Sequence, residues 1–108
     1  MKKVFNKLVR DKIPEIIENN NEVAVTKILS DKDYRDELIK KLLEEYNEVV
    51  NANGKDLIAE LADMLEVIDA IAKTENITLE DVIKIKEDKK IKRGGFDKKI
   101  FLIETSSK

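Results

Sequence analysis

Apolar residues recur at helical spacing over two long stretches in the middle of the chain. In residues 31–50, which follow a helix-capping Ser30, they are Leu38, Ile39, Leu42, Leu43, Tyr46, Val49 and Val50. In residues 56–73 they are Leu57, Ile58, Leu61, Met64, Leu65, Ile68 and Ile71. The segment 51–54, Asn-Ala-Asn-Gly, separates the two helices, because Asn and Gly accept the left-handed backbone of a helix end. A connection this short predicts an antiparallel helical hairpin.

Two further helices are predicted from the residues at their ends. Pro14 suits the first turn of a short helix that Asp11 would cap, and the asparagines at 19–21 would end it. Thr78 is followed three positions later by an acidic residue, as in a capping box. It predicts the start of a helix that continues towards Lys90.

Two apolar runs are predicted to be extended. Residues 23–29 are rich in β-branched side chains and too short for a stable helix, and residues 100–103 read Ile-Phe-Leu-Ile. These two segments could form a small β pair. The predicted fold class is mainly α, with the helical hairpin as core of a bundle completed by oligomerisation, and residues 1–108 form a single domain.

The composition limits the chemistry that the chain can perform. Its 21 Lys and Arg nearly balance 23 Asp and Glu, so the net charge is −2 and no overall field attracts a polyanion. The absence of Cys and His removes disulfides, zinc fingers, thiol nucleophiles and the commonest general base. No stretch approaches the ~18 apolar residues of a membrane span, and no apolar leader follows the N-terminal lysines. We therefore expect a cytoplasmic protein that does not bind membranes.

Four acidic residues are placed unusually for charges on a helical surface. At about 100° per residue, and with Leu42 and Leu57 as the zero of their helices, Glu45 and Glu60 fall near −60° and Glu48 and Asp63 near −120°. Both helices therefore carry a pair of carboxylates on the same edge of their apolar stripe. In an antiparallel hairpin that turns at Gly54 these edges lie on one side and at one height. The adjacent Glu44 falls on the far side of its helix.

Four carboxylates that converge beside a core repel one another unless a cation sits among them. Oxygen ligands without His or Cys indicate Mg²⁺, with Mn²⁺ as the alternative. Because Mg²⁺ in proteins is commonly completed by substrate phosphates, the expected ligand is a polyphosphate. Further positive charge for those phosphates has five candidate sources in the sequence: Lys7, Arg10, Lys12, Lys92 and Arg93.

The acidic motifs resemble those of a known enzyme group. Residues 44–48 (Glu-Glu-Tyr-Asn-Glu) and 60–63 (Glu-Leu-Ala-Asp) are similar to the EExxE…ExxD signature of the all-α nucleoside triphosphate pyrophosphohydrolases, the MazG-like and phosphoribosyl-ATP pyrophosphatase group. Residues 7–14 and 92–96 also resemble blocks of a short, single-domain branch of MazG-like proteins.

This resemblance implies a hydrolase that cleaves between the α and β phosphates and releases a nucleoside monophosphate and pyrophosphate, a reaction that could clean the nucleotide pool. It maps the metal ligands onto Glu45, Glu48, Glu60 and Asp63, with Glu45 or Glu48 as the catalytic base. A homodimer or homotetramer is expected, because one hairpin can neither enclose a nucleotide nor bury both of its faces.

Two non-enzymatic interpretations remain open. The lysines at 84–99 could form a nucleic-acid-binding tract, although acidic residues are interleaved with them and no aromatic platform accompanies them. Alternatively, the chain could be a helical interaction domain whose carboxylates only keep it soluble. That domain would show no dependence on divalent cations.

Overall fold

A computed structural model describes residues 2–108 of the chain and contains four helices. They are α1 (Ile13–Asn19), α2 (Asp31–Asn51), α3 (Lys55–Lys73) and α4 (Leu79–Arg93). Helices α2 and α3 pack against each other, and α4 contacts α3. The predicted all-helical architecture with an antiparallel hairpin at its centre is confirmed.

The helix ends follow the capping signals with one exception. The Ser30 hydroxyl accepts a hydrogen bond from the backbone N–H of Asp33, and Thr78 and Asp81 form a reciprocal capping box. Gly54 precedes α3 with φ of 55°, a conformation that glycine adopts without steric cost. The predicted cap of α1 is wrong, because Lys12 rather than Asp11 stands at the N-cap and no side chain bonds there.

The small β pair predicted from segments 23–29 and 100–103 does not form, since residues 2–108 contain no strand. Most side chains of both segments are exposed, including Val25 at 95% and Phe101 at 88%. A β-branched run favours extended backbone, but a strand needs a partner edge and a packed face. Neither segment has them.

The core between α2 and α3 is small. Among residues 2–108 three apolar side chains are buried, Leu38, Val67 and Ala72, and none of them is completely shielded from solvent. The radius of gyration is 18.8 Å, whereas a compact chain of this length has one of about 13 Å. None of the four helices in residues 2–108 combines the length and the apolar character that crossing a bilayer requires.

Candidate metal centre

The hairpin brings three of the four predicted carboxylates together. Glu45 on α2 and Glu60 and Asp63 on α3 each offer one oxygen, and these oxygens lie within 4.8 Å of one another. Glu45 is 8% exposed and is the one buried charged residue among residues 2–108. The cluster arises because the matching edges of two antiparallel helices meet on one side of the pair, at a height fixed by the turn at Gly54.

The surroundings of Glu45 disfavour its ionised form. Burial raises the pKa of the Glu45 carboxyl, and the negative charge of Asp63 raises it further, while Lys41 partly opposes the shift. No side-chain oxygen in the described chain is both buried and without a hydrogen-bond partner, so the Glu45 carboxylate is not sealed off. It is a partly desolvated acid that still has access to a ligand.

Glu60 belongs to the cluster and also lines a neighbouring recess. Desolvation raises the pKa of Glu60, and the charges of Glu48, Asp63 and Asp56 add to the shift. Glu48 is exposed and lies outside the group of three. With Glu60 and Asp56 it lines an open recess of about 220 Å³ at the turn end of the hairpin. The structure therefore places the fourth predicted ligand beside the cluster, facing a space into which a small polar group could enter.

The three carboxylates fit a hard divalent cation. Two oxygens on opposite sides of an ion are separated by ~4.1 Å across Mg²⁺ and by ~4.6–5.2 Å across Ca²⁺, twice the metal–oxygen distance. The oxygens of the cluster lie within 4.8 Å of one another, a spread that suits Ca²⁺ as it stands and is about 0.7 Å wider than Mg²⁺ spans, so Mg²⁺ would draw the three side chains closer together. Carboxylate oxygens are also the donors that these cations prefer. Exposed acidic groups are common without a metal, so the buried position of Glu45 is the distinguishing feature of this group.

Arg10 already supplies one positive charge to the cluster. Its guanidinium donates a hydrogen bond to Asp63 Oδ1 over 2.8 Å, linking the segment before α1 to α3. Lys7 on the same segment lies 3.8 Å from Glu44, the glutamate on the outer side of α2. Lys41 also pairs with Glu44, at 3.4 Å. Glu44 is thus paired with two lysines, whereas Asp63 shares its charge with an arginine.

Replacing Arg10 by Gln is expected to tighten Mn²⁺ binding about two- to fivefold. A half-exposed ion pair is worth up to ~1 kcal/mol, and a divalent cation must displace or tolerate it. Titration calorimetry or electron paramagnetic resonance of bound Mn²⁺ measures the change. Lys7→Gln is the matched control, because Lys7 pairs with a glutamate outside the cluster. Weaker Mn²⁺ binding in Arg10→Gln than in the control would contradict the competition.

The other predicted phosphate-binding residues are not brought to the carboxylates. Lys12 is exposed at the start of α1 and forms no ion pair within residues 2–108. Lys92 and Arg93 occupy the last turn of α4, and every α4 residue after Leu79 is exposed. A 15-residue helix spans ~22 Å, so Lys92 and Arg93 lie at the far end of an exposed helix that extends from the hairpin.

Two neighbours of the cluster were not among the predicted site residues. Lys41 lies one helical turn before Glu45, and Asp56 one turn before Glu60, and each acts on the pKa of that glutamate. The i,i+4 spacing was the available signal. The Arg10–Asp63 contact joins residues 53 positions apart, and no local pattern in the sequence indicates it.

Comparison with known proteins adds no family to this geometry. No protein-family model, no curated protein and no solved structure matches the chain. The chemistry of the site is therefore inferred from its own groups: a buried glutamate, two partly exposed carboxylates beside it, and an arginine that approaches them from the N-terminal segment.

Proposed function

We propose that this chain is a magnesium-dependent nucleoside triphosphate pyrophosphohydrolase of the MazG-like kind. It would cleave between the α and β phosphates and release a nucleoside monophosphate and pyrophosphate. The observation that carries the proposal is the cluster of Glu45, Glu60 and Asp63 across the α2–α3 hairpin. The spacing of these residues in the sequence, which resembles the acidic signature of that enzyme group, supports the same reaction.

The buried glutamate is what favours a site over surface charge. Placing a carboxylate at 8% exposure next to two others lowers stability, because desolvation and repulsion both oppose its ionised form. Solubility would be served equally well by an exposed glutamate. A function that requires concentrated negative charge explains why Glu45 stands there.

Each residue has a distinct role in this proposal. Glu45, Glu60 and Asp63 would hold the cation, which when bound supplies positive charge to the phosphates and acidifies a water molecule. Glu48, which lines the recess beside Glu60, would take a proton from the attacking water. The water oxygen forms the new bond to phosphorus as the bridging P–O bond breaks.

Arg10 would exchange partners in the same reaction. Its side chain is more than half exposed and could turn from Asp63 to a phosphate oxygen without leaving a buried group unpaired. The cation would then replace Arg10 as the counter-charge of Asp63. We assign this activity to the cytoplasm, where a cysteine-free chain loses nothing by the reducing conditions.

A nucleotide panel with separate detection of pyrophosphate and orthophosphate tests the proposal. With Mg²⁺ we expect at least one nucleoside triphosphate to yield its monophosphate and pyrophosphate in equal amounts, and chelation should abolish the reaction. Release of orthophosphate alone, with no pyrophosphatase present, would refute cleavage between the α and β phosphates. The Asp63→Asn variant serves as the inactive control for contaminating phosphatases.

The two non-enzymatic interpretations predict different results. A helical interaction domain would show no turnover of any nucleotide with Mg²⁺ or Mn²⁺. A nucleic-acid-binding protein would bind DNA or RNA with an affinity that falls steeply with salt, through the lysines of α4.

A further inference from the structure

The link between α2 and α3 contains the one asparagine of the chain that is followed by a glycine, Asn53–Gly54. Both residues are exposed and lie between the end of α2 at Asn51 and the start of α3 at Lys55. Asparagine is a chemically labile side chain, because its amide carbon can be attacked by the backbone nitrogen of the next residue. Glycine hinders this attack least, since it has no Cβ. An Asn-Gly pair therefore loses its side-chain amide more readily than other asparagine pairs.

The backbone nitrogen of Gly54 is free to react. Gly54 is the N-cap of α3, so its N–H stands ahead of the hydrogen bonds of that helix. Among residues 2–108 no backbone carbonyl accepts a hydrogen bond from it. Apart from its two chain neighbours, no atom lies within 4 Å of the position that a Cβ of Gly54 would occupy. The structure thus leaves both the N–H and the space around it open to the Asn53 side chain.

Asn51, two positions earlier, is protected by contrast. Its side-chain amide donates a hydrogen bond to the carbonyl of Asn47 over 2.9 Å. The N–H that follows it, on Ala52, donates to the carbonyl of Val49 over 3.3 Å. Helix α2 therefore holds both the amide and the attacking nitrogen of this pair.

The other asparagines also lack the combination found at Asn53. A backbone N–H that is already hydrogen-bonded follows five of them: Asn19, Asn20, Asn21, Asn47 and Asn76. Asn6 is followed by Lys7, whose side chain hinders attack by its backbone nitrogen. Within the described chain, Asn53 alone combines an unbonded N–H on the next residue with a glycine at that position.

We propose that Asn53 is a site of spontaneous modification, at which attack by the Gly54 nitrogen converts the asparagine to aspartate and isoaspartate. Solvent base removes the proton of the Gly54 N–H, the nitrogen bonds to Asn53 Cγ, and ammonia leaves as a cyclic imide closes. Water then opens the imide at either of its carbonyls. Opening at Cγ gives aspartate, and opening at the backbone carbonyl gives isoaspartate, whose chain continues through Cβ and Cγ. In sum, asparagine and water give the acid and ammonia, and no other reactant is needed.

Isoaspartate changes the link that joins the two helices. It inserts one further atom into the backbone, which adds ~1.5 Å to a link of residues 52–54. The Asn53 carbonyl now accepts the N–H of Asp56 over 3.1 Å at the start of α3, and in isoaspartate it becomes part of a carboxylate outside the chain. This product therefore loosens the start of α3.

The same change displaces the carboxylate cluster. Glu45 precedes the link and Glu60 and Asp63 follow it, so the length of the link sets their relative height. Metal ligands must keep their distances to within ~0.2 Å, so the modified chain binds a divalent cation less well. This last step rests on the proposed function, whereas the modification of Asn53 does not. If both hold, the reaction at Asn53 limits the lifetime of the metal centre.

Peptide mapping of protein incubated for days at mildly alkaline pH tests the modification. Trypsin releases residues 42–55 as one peptide, which contains Asn47, Asn51 and Asn53 together. We expect conversion of amide to acid at Asn53 at least ~10-fold faster than at Asn51, with isoaspartate identified by fragmentation of the peptide. Equal rates at these two asparagines, or an Asn53 that stays intact, would overturn the proposal. Asn53→Gln is the matched control, because its longer side chain closes the ring far more slowly.

Thermal unfolding tests whether isoaspartate loosens the turn. The incubated protein should melt ~5 °C lower than fresh protein, while incubated Asn53→Gln should keep its melting temperature. Fresh Asn53→Asp carries the added charge without the longer backbone. Negative charge just before the start of a helix is favoured, so this variant should melt as the unmodified protein does. An unchanged melting temperature after conversion of Asn53, or an equal loss in fresh Asn53→Asp, would refute the role of isoaspartate.

Mn²⁺ titration of the same samples tests the effect on the cluster. We expect the incubated protein to bind Mn²⁺ at least ~10-fold more weakly than fresh protein, and Asn53→Gln to be unaffected by incubation. Equal affinities of fresh and converted protein would refute the displacement of the cluster. If fresh protein bound no Mn²⁺ while Asn53 was still converted, the proposed metal centre would fail and the modification site would stand.

Discussion

Replacing Glu45 by Gln is expected to reduce Mg²⁺-dependent turnover by about 10³-fold or more while leaving the metal-free fold as stable as before or more stable. Gln keeps the size of Glu but cannot supply the negative charge that holds a divalent cation. In the metal-free protein the same change removes a charge that burial and Asp63 both disfavour. Relief of such a charge is worth roughly 0.5–2 kcal/mol.

The opposite signs of these two effects make the experiment informative. Turnover is followed by pyrophosphate release, and the free energy of unfolding by denaturant titration with a chelator present. Glu66→Gln is the matched control, because Glu66 is an exposed glutamate of α3 away from the cluster and should change neither quantity. If Glu45→Gln retained full turnover, the cluster would not be the active site. If it destabilised the metal-free chain strongly, Glu45 would serve the fold.

The hairpin and its cluster could be predicted because both depend on local periodicity. Apolar residues at intervals of three and four predict the two helices and the edge that carries the carboxylates, and the turn at Gly54 fixes which heights coincide. Glu45, Glu60 and Asp63 follow from those two facts. The same pattern does not predict burial, since half of those apolar residues, Leu43 and Ile58 among them, are exposed. Glu48 shows the limit of this argument, since one further turn towards the loop leaves it at the recess instead of in the cluster.

The structure and contacts of the segments outside the α2–α3 hairpin could not be predicted from the sequence, because they depend on tertiary structure. Segment 23–29 has the side chains of a strand, but whether a strand forms is decided by a partner edge, which residue pattern alone does not supply. The same limit applies to Arg10, which was expected at a phosphate and is found on Asp63. Lys92 and Arg93 were grouped with it by charge, yet they stand at the end of an exposed helix.

Addition of Mg²⁺ is expected to raise the melting temperature of the unmodified protein, and this effect should vanish in Glu60→Gln. A ligand at ten times its dissociation constant stabilises the folded state by about 1.4 kcal/mol, which corresponds to ~5 °C or more in a domain of this size. Differential scanning fluorimetry at fixed protein concentration and fixed ionic strength measures the shift. An equal shift in Glu60→Gln and in Glu66→Gln would mean that Mg²⁺ acts elsewhere.

The pH dependence of the Mg²⁺-induced stabilisation distinguishes cation binding from the destabilisation that the ionised Glu45 causes in the metal-free protein. Glu45 has a pKa raised above its ordinary value of 4.5, so without metal its contribution to stability is present at low pH and is lost as pH rises through the raised pKa. Cation binding requires the ionised carboxylate, so the Mg²⁺-dependent shift should be absent near pH 4 and largest at neutral pH. The two contributions therefore change in opposite directions over one pH interval. A Mg²⁺ effect of constant size from pH 4 to pH 7 would exclude Glu45 as a ligand, because protons and the cation would then not compete for it.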